Sequence, residues 1–236
     1  MVHPGDVDAG KFAAAVAATA LVETGMLLGL GTGSTVQFVL ERIAQRMHGE
    51  GLRIIGVPTS RMTEERARAL GIPLAELSPG HEPDLAIDGA DEVERGRLAL
   101  IKGLGGALLR EKIIASFAQR FVVVADETKL VEKLGTVAPL PVEVVPFAHT
   151  ATARRLERLG GHAVLRTLAD GKPFVTDNGN LVYDLHGLGP IVEPMVLEED
   201  IALIPGVVES GLFNKLAACA FIGSQDGTAR LIEPGS

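Results

Sequence analysis

The segment Leu27-Leu-Gly-Leu-Gly-Thr-Gly-Ser-Thr35 decides the fold class of this chain of 236 residues. Its apolar part, within Met26–Leu30, predicts a buried strand, and the apolar positions of Val36–Met47 predict the helix that follows. A glycine-rich turn between a strand and a helix is typical of α/β domains, in which ligands bind beyond the carboxyl ends of parallel strands. We therefore expect a strand–turn–helix unit here, with its turn at a ligand site.

Strands and helices continue to alternate as far as about residue 130. Further strands are predicted at 52–57, 85–87, 98–101 and 121–125, and further helices at 13–22, 63–70 and 108–120. Alternation at this spacing predicts a mostly parallel sheet that is covered by helices on both faces. The expected fold class is therefore α/β, with a Rossmann-like sheet domain.

The pattern changes near Pro139-Leu-Pro141. Strands are predicted at 142–145, 162–166, 173–176 and 181–185, with a helix at 150–159, another at 195–204 and a last strand at 218–223. Asp170-Gly171 and Asp177-Asn-Gly179 predict hairpin turns, so the order is β-α-β-β. We expect a Rossmann-like domain over 1–134 plus 205–236, and a smaller inserted α+β (ferredoxin-like) domain over 135–204.

Composition argues against several classes of function. The formal net charge of −8 disfavours broad electrostatic binding to nucleic acid. The longest apolar run, Phe12–Val22, is about half as long as the ~20 residues that span a membrane. Acidic residues on both sides of that run argue against a signal peptide, and the single cysteine, Cys219, suits a reducing compartment. We expect a cytoplasmic protein without a nucleic-acid or membrane partner.

The glycine-rich turn at residues 31–35 suits an anion. Free N–H groups at a helix start and nearby hydroxyls hold a phosphate or a carboxylate, although a turn in which Ser34 or Thr35 only caps the helix fits the same residues. A nicotinamide-binding loop fits less well, because the next strand ends in Pro58-Thr-Ser60 without the acid that holds a ribose. The candidate anion-binding residues are Thr32, Gly33, Ser34 and Thr35.

Three more predicted strands also run into polar residues. These continuations are Asp88-Gly-Ala-Asp91, Lys102-Gly-Leu-Gly-Gly106 and Asp126-Glu-Thr-Lys129. Because parallel strands bring their carboxyl ends to one edge, we expect these segments to meet around a small polar anion. Asp88 and Asp91 suit hydroxyl binding or proton transfer; with Glu92 they also suit Mg²⁺, and capping of the next turn is a third alternative.

Two further side chains are candidates for catalysis. Lys102 precedes a glycine-rich turn, where a lysine stabilises a phosphate or a developing oxyanion; a solvated loop lysine is the alternative. The neighbours of Glu111 three and four residues away along its predicted helix are all apolar. A carboxylate on a buried face gains basicity and suits a general base, whereas an ordinary surface glutamate fits the run Arg110-Glu-Lys112 equally well.

Taken in order, these segments resemble ribose-5-phosphate isomerase of the A type. The segments that carry the resemblance are Gly29-Leu-Gly-Thr-Gly-Ser-Thr35, Asp88-Gly-Ala-Asp-Glu92, residues 102–112, residues 139–146, Thr176-Asp-Asn-Gly-Asn180 and residues 205–213. The resemblance spans essentially the whole chain. It implies interconversion of D-ribose 5-phosphate and D-ribulose 5-phosphate in the non-oxidative pentose phosphate pathway. It also implies that no metal or organic cofactor is needed and that the chain forms a homodimer or homotetramer.

The resemblance implies a role for each matching position. Substrate-binding residues would be Thr32, Gly33, Ser34 and Thr35 at the phosphate, Asp88, Gly89, Ala90 and Asp91 along the sugar, Lys102, Gly103, Leu104 and Gly105 as a third segment, and Lys129. Asp88 and Asp91 would assist ring opening, Lys102 would stabilise the oxyanion, and Glu111 would accept the proton. Lys11 is a weaker phosphate-binding candidate.

One position departs from the family pattern. The third binding segment of the family often reads Lys-Gly-Gly-Gly, and Leu104 replaces the middle glycine here. A leucine would be costly there if the position needed a positive φ.

The alternative function is a phosphosugar-sensing module without turnover, which would need the phosphate loop but neither Glu111 nor Lys102.

Overall fold

The computed structural model describes residues 8–235. Its helices are α1 (Ala9–Thr19), α2 (Ser34–Glu50), α3 (Arg61–Ala69), α4 (Leu108–Phe117), α5 (His149–Leu156) and α6 (Pro194–Ala202). Its strands are β1 (Leu27–Leu30), β2 (Ile55–Pro58), β3 (Leu85–Gly89), β4 (Glu92–Glu94), β5 (Leu100–Ile101), β6 (Phe121–Asp126), β7 (Leu130–Val131), β8 (Leu140–Val144), β9 (His162–Leu165), β10 (Leu181–His186), β11 (Val207–Ser210), β12 (Leu212–Phe213), β13 (Ala217–Gly223) and β14 (Ala229–Ile232).

The chain divides into two compact units. Of the described residues, the first unit comprises 8–90, 110–130 and 216–235, and the second comprises 91–109 and 131–215. Compared with the predicted domains, residues 91–109, 131–134 and 205–215 group with the smaller unit. The reason is strand pairing, since β4, β5 and β12 all belong to a sheet outside the parallel one.

The first unit contains the predicted parallel sheet. Its strand order is β14-β13-β6-β3-β1-β2, with β14 antiparallel to β13 and every other neighbouring pair parallel. Leu30 pairs with both Ile87 and Pro58, so β1, β2 and β3 end side by side. The Rossmann-like class inferred from the sequence is confirmed.

Helices pack on both faces of this sheet, and the side chains of β1 point alternately to one face and the other. Leu28 and Leu30 point into the core formed with α1 and α2, while Gly29 faces the other side. A Cβ at Gly29 would lie 2.5 Å from Ile114 Cγ2 of α4, so only glycine lets this helix approach so closely. The close approach brings the first turn of α4 to the carboxyl end of β1.

The second unit contains a ferredoxin-like α+β fold. The chain order β8-α5-β9-β10-α6-β11 forms an antiparallel sheet of order β11-β8-β10-β9. The predicted strand at 173–176 is wrong, because this segment makes only the isolated bridges Thr167↔Pro173 and Val175↔Leu181. Pro173 has no N–H to donate to a ladder. The remaining predicted elements of this domain are present.

The strand predicted at 98–101 is not part of the parallel sheet. β5 pairs antiparallel with β4 and β12, in a sheet of order β12-β5-β4-β7. β4 and β5 are joined by a tight turn in which Gly96 and Leu98 have positive φ. Such a turn joins antiparallel strands, whereas a parallel strand needs a longer crossover. The expectation that Lys102 follows a fourth parallel strand is therefore wrong.

Within residues 8–235, no helix has both the length and the apolar character that crossing a membrane requires.

Candidate active site

The glycine-rich turn leads directly into α2. Gly33 is the N-cap of this helix, with φ of 119°, and it offers no side chain to the first-turn N–H groups. Ser34 is exposed and Thr35 is buried in that first turn. The capping alternative therefore does not describe this turn, because neither hydroxyl is at the cap position. A helix start of this form presents N–H groups to an anion.

Thr32 is held in a cluster of four buried hydroxyls. Its Oγ1 lies 2.8 Å from Thr59 Oγ1, 2.8 Å from Ser60 Oγ and 3.1 Å from Thr63 Oγ1. Ser60 is also the N-cap of α3, accepting the N–H of Thr63 at 3.1 Å. Thr59, Ser60 and Thr63 were not among the site residues predicted from the sequence. The sequence feature that could have indicated them is Ser60-x-x-Thr63 directly after a predicted strand, because serine is a preferred N-cap residue and accepts the N–H of the residue three positions on.

Each hydroxyl group has one proton to donate, and this limit fixes which hydroxyls of the cluster donate and which accept. Thr63 Oγ1 donates to the carbonyl of Gly31 at 2.7 Å, so Ser60 must donate to Thr63, and Thr32 to Ser60. Thr59 is left as the donor to Thr32. The N–H of Thr32 donates to Asp88 Oδ1 at 3.0 Å. Both donors of Thr32 therefore act inside the protein, where they join the ends of β1, β2 and β3.

Asp88 and Glu111 are brought to one place in the first unit. Asp88 is buried at the end of β3, and its Oδ1 also accepts the N–H of Gly89 at 2.7 Å. Glu111, in the first turn of α4, is 3% exposed, so of the two alternatives that the sequence left open, the buried one is present and the surface one is excluded. Both carboxylates line one narrow crevice, together with Gly29 and Gly31.

Two lysines lie near the ends of β6 and β13, at the same carboxyl-terminal edge of the parallel sheet. Lys129 ends a short 3₁₀ turn after β6, and Asp126 caps this turn by accepting the N–H of Thr128 at 3.0 Å. At the start of α1, a Cβ on Gly10 would lie 2.9 Å from the Gly223 carbonyl oxygen and 3.4 Å from Asp126 Cβ. Lys11, the next residue, therefore also lies near this edge.

Lys11 is itself paired. Its Nζ lies 2.9 Å from Asp8 Oδ2, and hydrogen bonding to Lys11 lowers the pKa of the Asp8 carboxyl below its ordinary value. A phosphate at this place would compete with Asp8 for the ammonium group. This competition weakens the case for Lys11 relative to Lys129.

In the second unit, Lys102 is buried although it is charged. It is 2% exposed, and its Nζ lies 5.4 Å from the centroid of the Phe213 ring. Its N–H donates to the carbonyl of Gly211 at 2.9 Å. The solvated-lysine alternative is therefore excluded. A lysine buried against an aromatic face is stabilised by the ring quadrupole, and it acts more strongly on a nearby anion than it would in water.

The turn after Lys102 accommodates Leu104 without backbone strain. Positive φ values fall on Gly103 (105°) and Gly106 (78°), whereas Leu104 lies outside that region. The N–H of Leu104 donates to Asp91 Oδ2 at 2.9 Å. The cost expected for leucine at this position therefore does not arise. Asp91 and Ala90 connect β3 to β4, and Gly105 follows Leu104 in the turn.

Glu92 has a structural task. Its buried carboxylate accepts the N–H groups of Gly135, Val137 and Ala138 at 2.6–2.7 Å. These bonds occupy both oxygens, so the Mg²⁺ alternative with Asp88 and Asp91 loses its third ligand. Among residues 8–235, no group of three or more His, Cys, Asp or Glu side chains is arranged to hold a metal.

A Rossmann-like unit with buried carboxylates beside a helix start that has no side-chain cap is typical of α/β enzymes that act on small anionic substrates. The chain belongs to the ribose 5-phosphate isomerase A (phosphoriboisomerase A) family, whose model matches residues 55–227. The family inferred from the sequence is confirmed. The function is therefore that of a ribose-5-phosphate isomerase, and nothing in the comparisons supports the sensing alternative.

Similar proteins cover almost the whole chain. Ribose-5-phosphate isomerase A from Gloeobacter violaceus is 52% identical over 222 residues, which is 94% of this chain and 95% of that protein. The structure of ribose 5-phosphate isomerase from Plasmodium falciparum matches with a TM-score of 0.92 and 36% identity, covering 96% and 99% of the two chains. A D-ribose-5-phosphate isomerase in complex with phospho-erythronic acid matches with a TM-score of 0.90 and 37% identity, covering 94% and 97%.

Proposed function

We propose that this isomerase moves a proton between C2 and C1 of its substrate through a cis-enediolate, with Glu111 as the base. The observation that carries this proposal is the burial of Glu111, at 3% exposure, in the crevice that Asp88 also lines. A carboxylate in such surroundings loses solvation, and this loss makes it a stronger base. Proton abstraction beside a carbonyl needs a base of this kind.

The reaction begins with opening of the sugar ring. Ribose 5-phosphate is mostly a closed ring, and opening moves the proton of the anomeric hydroxyl to the ring oxygen. We assign this transfer, and hydrogen bonds to the sugar hydroxyls, to Asp88 and Asp91. Asp88 suits the task because Thr32 and Gly89 hold its Oδ1 in place. Asp91 is fixed in the same way by the N–H of Leu104.

The isomerisation step then balances within the substrate. Glu111 takes the proton from C2, and the electron pair of the C–H bond forms the C1–C2 double bond while charge develops on O1. The proton of the C2 hydroxyl moves to O1, so that the charge passes to O2. Glu111 returns its proton to C1, and the C2 carbonyl of ribulose 5-phosphate forms. Lys102 and backbone N–H groups stabilise the negative oxygen in this scheme.

The phosphate end is assigned to the start of α2 and to Lys129. The helix start offers the N–H groups of Ser34 and Thr35 without a side-chain cap. A structural relative was solved in complex with phospho-erythronic acid, which supports a phosphorylated sugar chain as the kind of ligand that the site takes. That molecule carries a phosphate and a carboxylate, so the relative binds a ligand with two anionic groups.

The direct test is isomerisation of ribose 5-phosphate in the presence of excess EDTA. We expect turnover to survive EDTA, and Glu111→Gln to lower kcat by at least about 10²-fold, as expected for loss of a positioned base. Glu199→Gln, at an exposed glutamate of α6, is the matched control and should leave kcat unchanged. Near-normal turnover of a folded Glu111→Gln variant would remove Glu111 from this role.

We also propose that the enzyme is a homodimer or homotetramer that acts in the cytoplasm. Phe147 and Leu203 of the second unit are 88% and 80% exposed, and burying such apolar surface favours association. The free, buried thiol of Cys219 suits a reducing compartment. Light scattering should give a multiple of the 24.7 kDa chain mass, and cell fractionation should recover the enzyme with cytoplasmic markers. A monomer at micromolar concentration, or recovery in another fraction, would contradict the corresponding part of this proposal.

A further inference from the structure

Arg166, just after β9, binds the turn that follows Lys102. Its Nη1 donates to the carbonyl oxygens of Gly103 and Leu104 at 2.9 and 3.0 Å. Its Nε donates to Asp184 Oδ2 at 2.9 Å, and its Nη2 donates to Asp184 Oδ1. The two side chains are only 13% and 15% exposed. One guanidinium thus joins a carboxylate of β10 to two successive peptide groups of the turn.

These bonds determine where the N–H groups of the turn point. In a trans peptide the N–H points opposite to the carbonyl of the same peptide plane. Both carbonyls face Arg166, so the N–H groups of Leu104 and Gly105 face the other way. The N–H of Leu104 does so, since it reaches Asp91 Oδ2 at 2.9 Å. The N–H of Gly105 is therefore directed to the side on which Asp91 lies.

We propose that Arg166, braced by Asp184, is a positioning residue for the isomerisation: it orients the two peptide groups around Leu104 and thereby holds the carboxylate of Asp91 and the N–H of Gly105. The proposal rests on the function proposed above, in which Asp91 and this turn act on the sugar. Arg166 itself does not touch the substrate in this scheme. Its effect passes through the turn.

Arginine is suited to this task and lysine is not. The guanidinium has five N–H donors in a rigid plane, which allows it to bind a carboxylate on one edge and two carbonyls on another. A lysine ammonium keeps the charge but lacks the fork, so it cannot hold Asp184 and both carbonyls in one geometry. Arg166→Lys therefore separates the geometric role from the charge.

A second contact holds the far end of the same turn. A Cβ on Gly106 would lie 2.3 Å from Cζ of Phe174, so the ring packs directly on this glycine. The guanidinium carbon of Arg166 lies 5.8 Å from the centroid of the same ring. Arg166 and Phe174 belong to one stretch of the ferredoxin-like domain. That domain thus contacts both ends of the turn.

The position of Arg166 in its sheet separates this role from core packing. Side chains alternate along a strand, and Leu165, Tyr183 and Leu185 point to the apolar core of the second unit. Arg166 and Asp184 therefore point to the opposite face. Substitution at either position leaves the core side chains in place, so we expect the variants to fold.

The test compares Arg166→Gln, Arg166→Lys and Asp184→Asn with the wild-type enzyme. We expect kcat for ribose 5-phosphate to fall by about 10- to 100-fold in both Arg166 variants, the loss typical of a misplaced catalytic group, with KM within about 3-fold of wild type. Asp184→Asn should fall less. The double variant Arg166→Gln with Asp184→Asn should be no worse than Arg166→Gln alone, because both changes remove one unit.

Binding of two probes distinguishes positioning from general damage. By calorimetry, the Arg166 variants should lose affinity for phospho-erythronic acid, whose carboxylate would occupy the reacting end in this scheme, and should keep their affinity for inorganic phosphate. Lys172→Gln is the control on the same hairpin, because Lys172 is exposed and pairs only with Asp170 in the described structure. It should match wild type in both assays.

The possible results separate this inference from the proposed function. An inactive wild-type enzyme would overturn the proposed function itself. An active wild type with wild-type kcat in Arg166→Lys and Arg166→Gln would overturn only the role of Arg166. A large rise in KM at constant kcat, or equal loss of both probes, would also overturn it. If circular dichroism shows that Arg166→Gln is unfolded, the kcat of Arg166→Lys and Asp184→Asn decides.

Discussion

Replacing Gly31 by alanine puts a methyl group into space that Asp88 occupies. The new Cβ would lie 2.2 Å from Asp88 Oδ1, 2.3 Å from its Cγ and 2.6 Å from its Cα. Cβ atoms essentially never approach another heavy atom within 3.0 Å, so the carboxylate must move by at least 3.0 − 2.2 = 0.8 Å. Because the α-carbon of Asp88 belongs to the backbone, side-chain rotation alone cannot relieve the clash.

The size of this displacement gives the size of the effect. A shift of about 1 Å in a catalytic group costs on the order of 10²-fold in rate, and overpacking a buried site costs about 1–3 kcal/mol of stability. We therefore expect Gly31→Ala to lower kcat by about 10²-fold. The free energy of unfolding should fall by about 1–3 kcal/mol. The assays are initial rates with ribose 5-phosphate and urea unfolding followed by circular dichroism.

Gly49 provides the matched control. It lies within α2, and a Cβ there would meet nothing within 4 Å. Gly49→Ala should keep wild-type kcat and raise stability by up to about 1 kcal/mol, since alanine is the better helix former. A Gly31→Ala enzyme within 3-fold of wild-type kcat would refute the argument that a side chain at position 31 displaces the Asp88 carboxylate from a position that the reaction needs.

Three further predictions address other parts of the molecule. Thr63→Val should lower the free energy of unfolding by about 1–3 kcal/mol in urea titrations, because the buried Gly31 carbonyl loses its hydroxyl donor. Lys102→Met should lower kcat by about 10²-fold or more in the isomerase assay, as for loss of an oxyanion donor. Burial raises the pKa of Tyr183 above 10.0, so its ultraviolet absorbance should titrate above that pH, and stability should fall as the pH rises through the raised pKa.

Each of these has a control and a contradicting result. Thr150→Val, at an exposed threonine, should be neutral, and equal stability of Thr63→Val would argue against the hydroxyl cluster. Lys172→Met should keep wild-type kcat, whereas an active Lys102→Met enzyme would exclude Lys102 from the oxyanion role. Tyr183 is the single tyrosine of the chain, so the absorbance reports it alone. Titration at or below pH 10 would show that burial does not disfavour the ionised phenol.

Local patterns predicted much of the first unit. The strand–turn–helix at β1 and α2 follows from apolar period and glycine punctuation within one short segment, and the structure contains it. Both elements depend on residues that are neighbours in sequence, which is why the pattern is sufficient for them. The apolar helical neighbours of Glu111 allowed a buried position, but a surface position fitted the sequence equally well, and its burial in the structure decides between the two.

The missed features depend on contacts between distant residues. A short apolar run such as Leu98–Ile101 looks the same whether it is parallel or antiparallel, and only the tight turn before it distinguishes the two. The hydroxyl partners of Thr32 lie 27 to 31 residues away, and Arg166 lies 62 residues from Leu104. No local period encodes such distances, so the structure was needed to find them.

The central claim is that Glu111 carries the proton between C2 and C1. The most direct measurement is the reaction of ribose 5-phosphate in deuterated water, with deuterium at C1 of ribulose 5-phosphate followed by nuclear magnetic resonance. In the wild-type enzyme we expect conversion, with deuterium entering at C1 to the extent that protonated Glu111 exchanges with the solvent before it returns the proton. In Glu111→Gln both conversion and deuterium incorporation should fall together by at least about 10²-fold. Deuterium entering at the wild-type rate in a folded Glu111→Gln enzyme would contradict the claim.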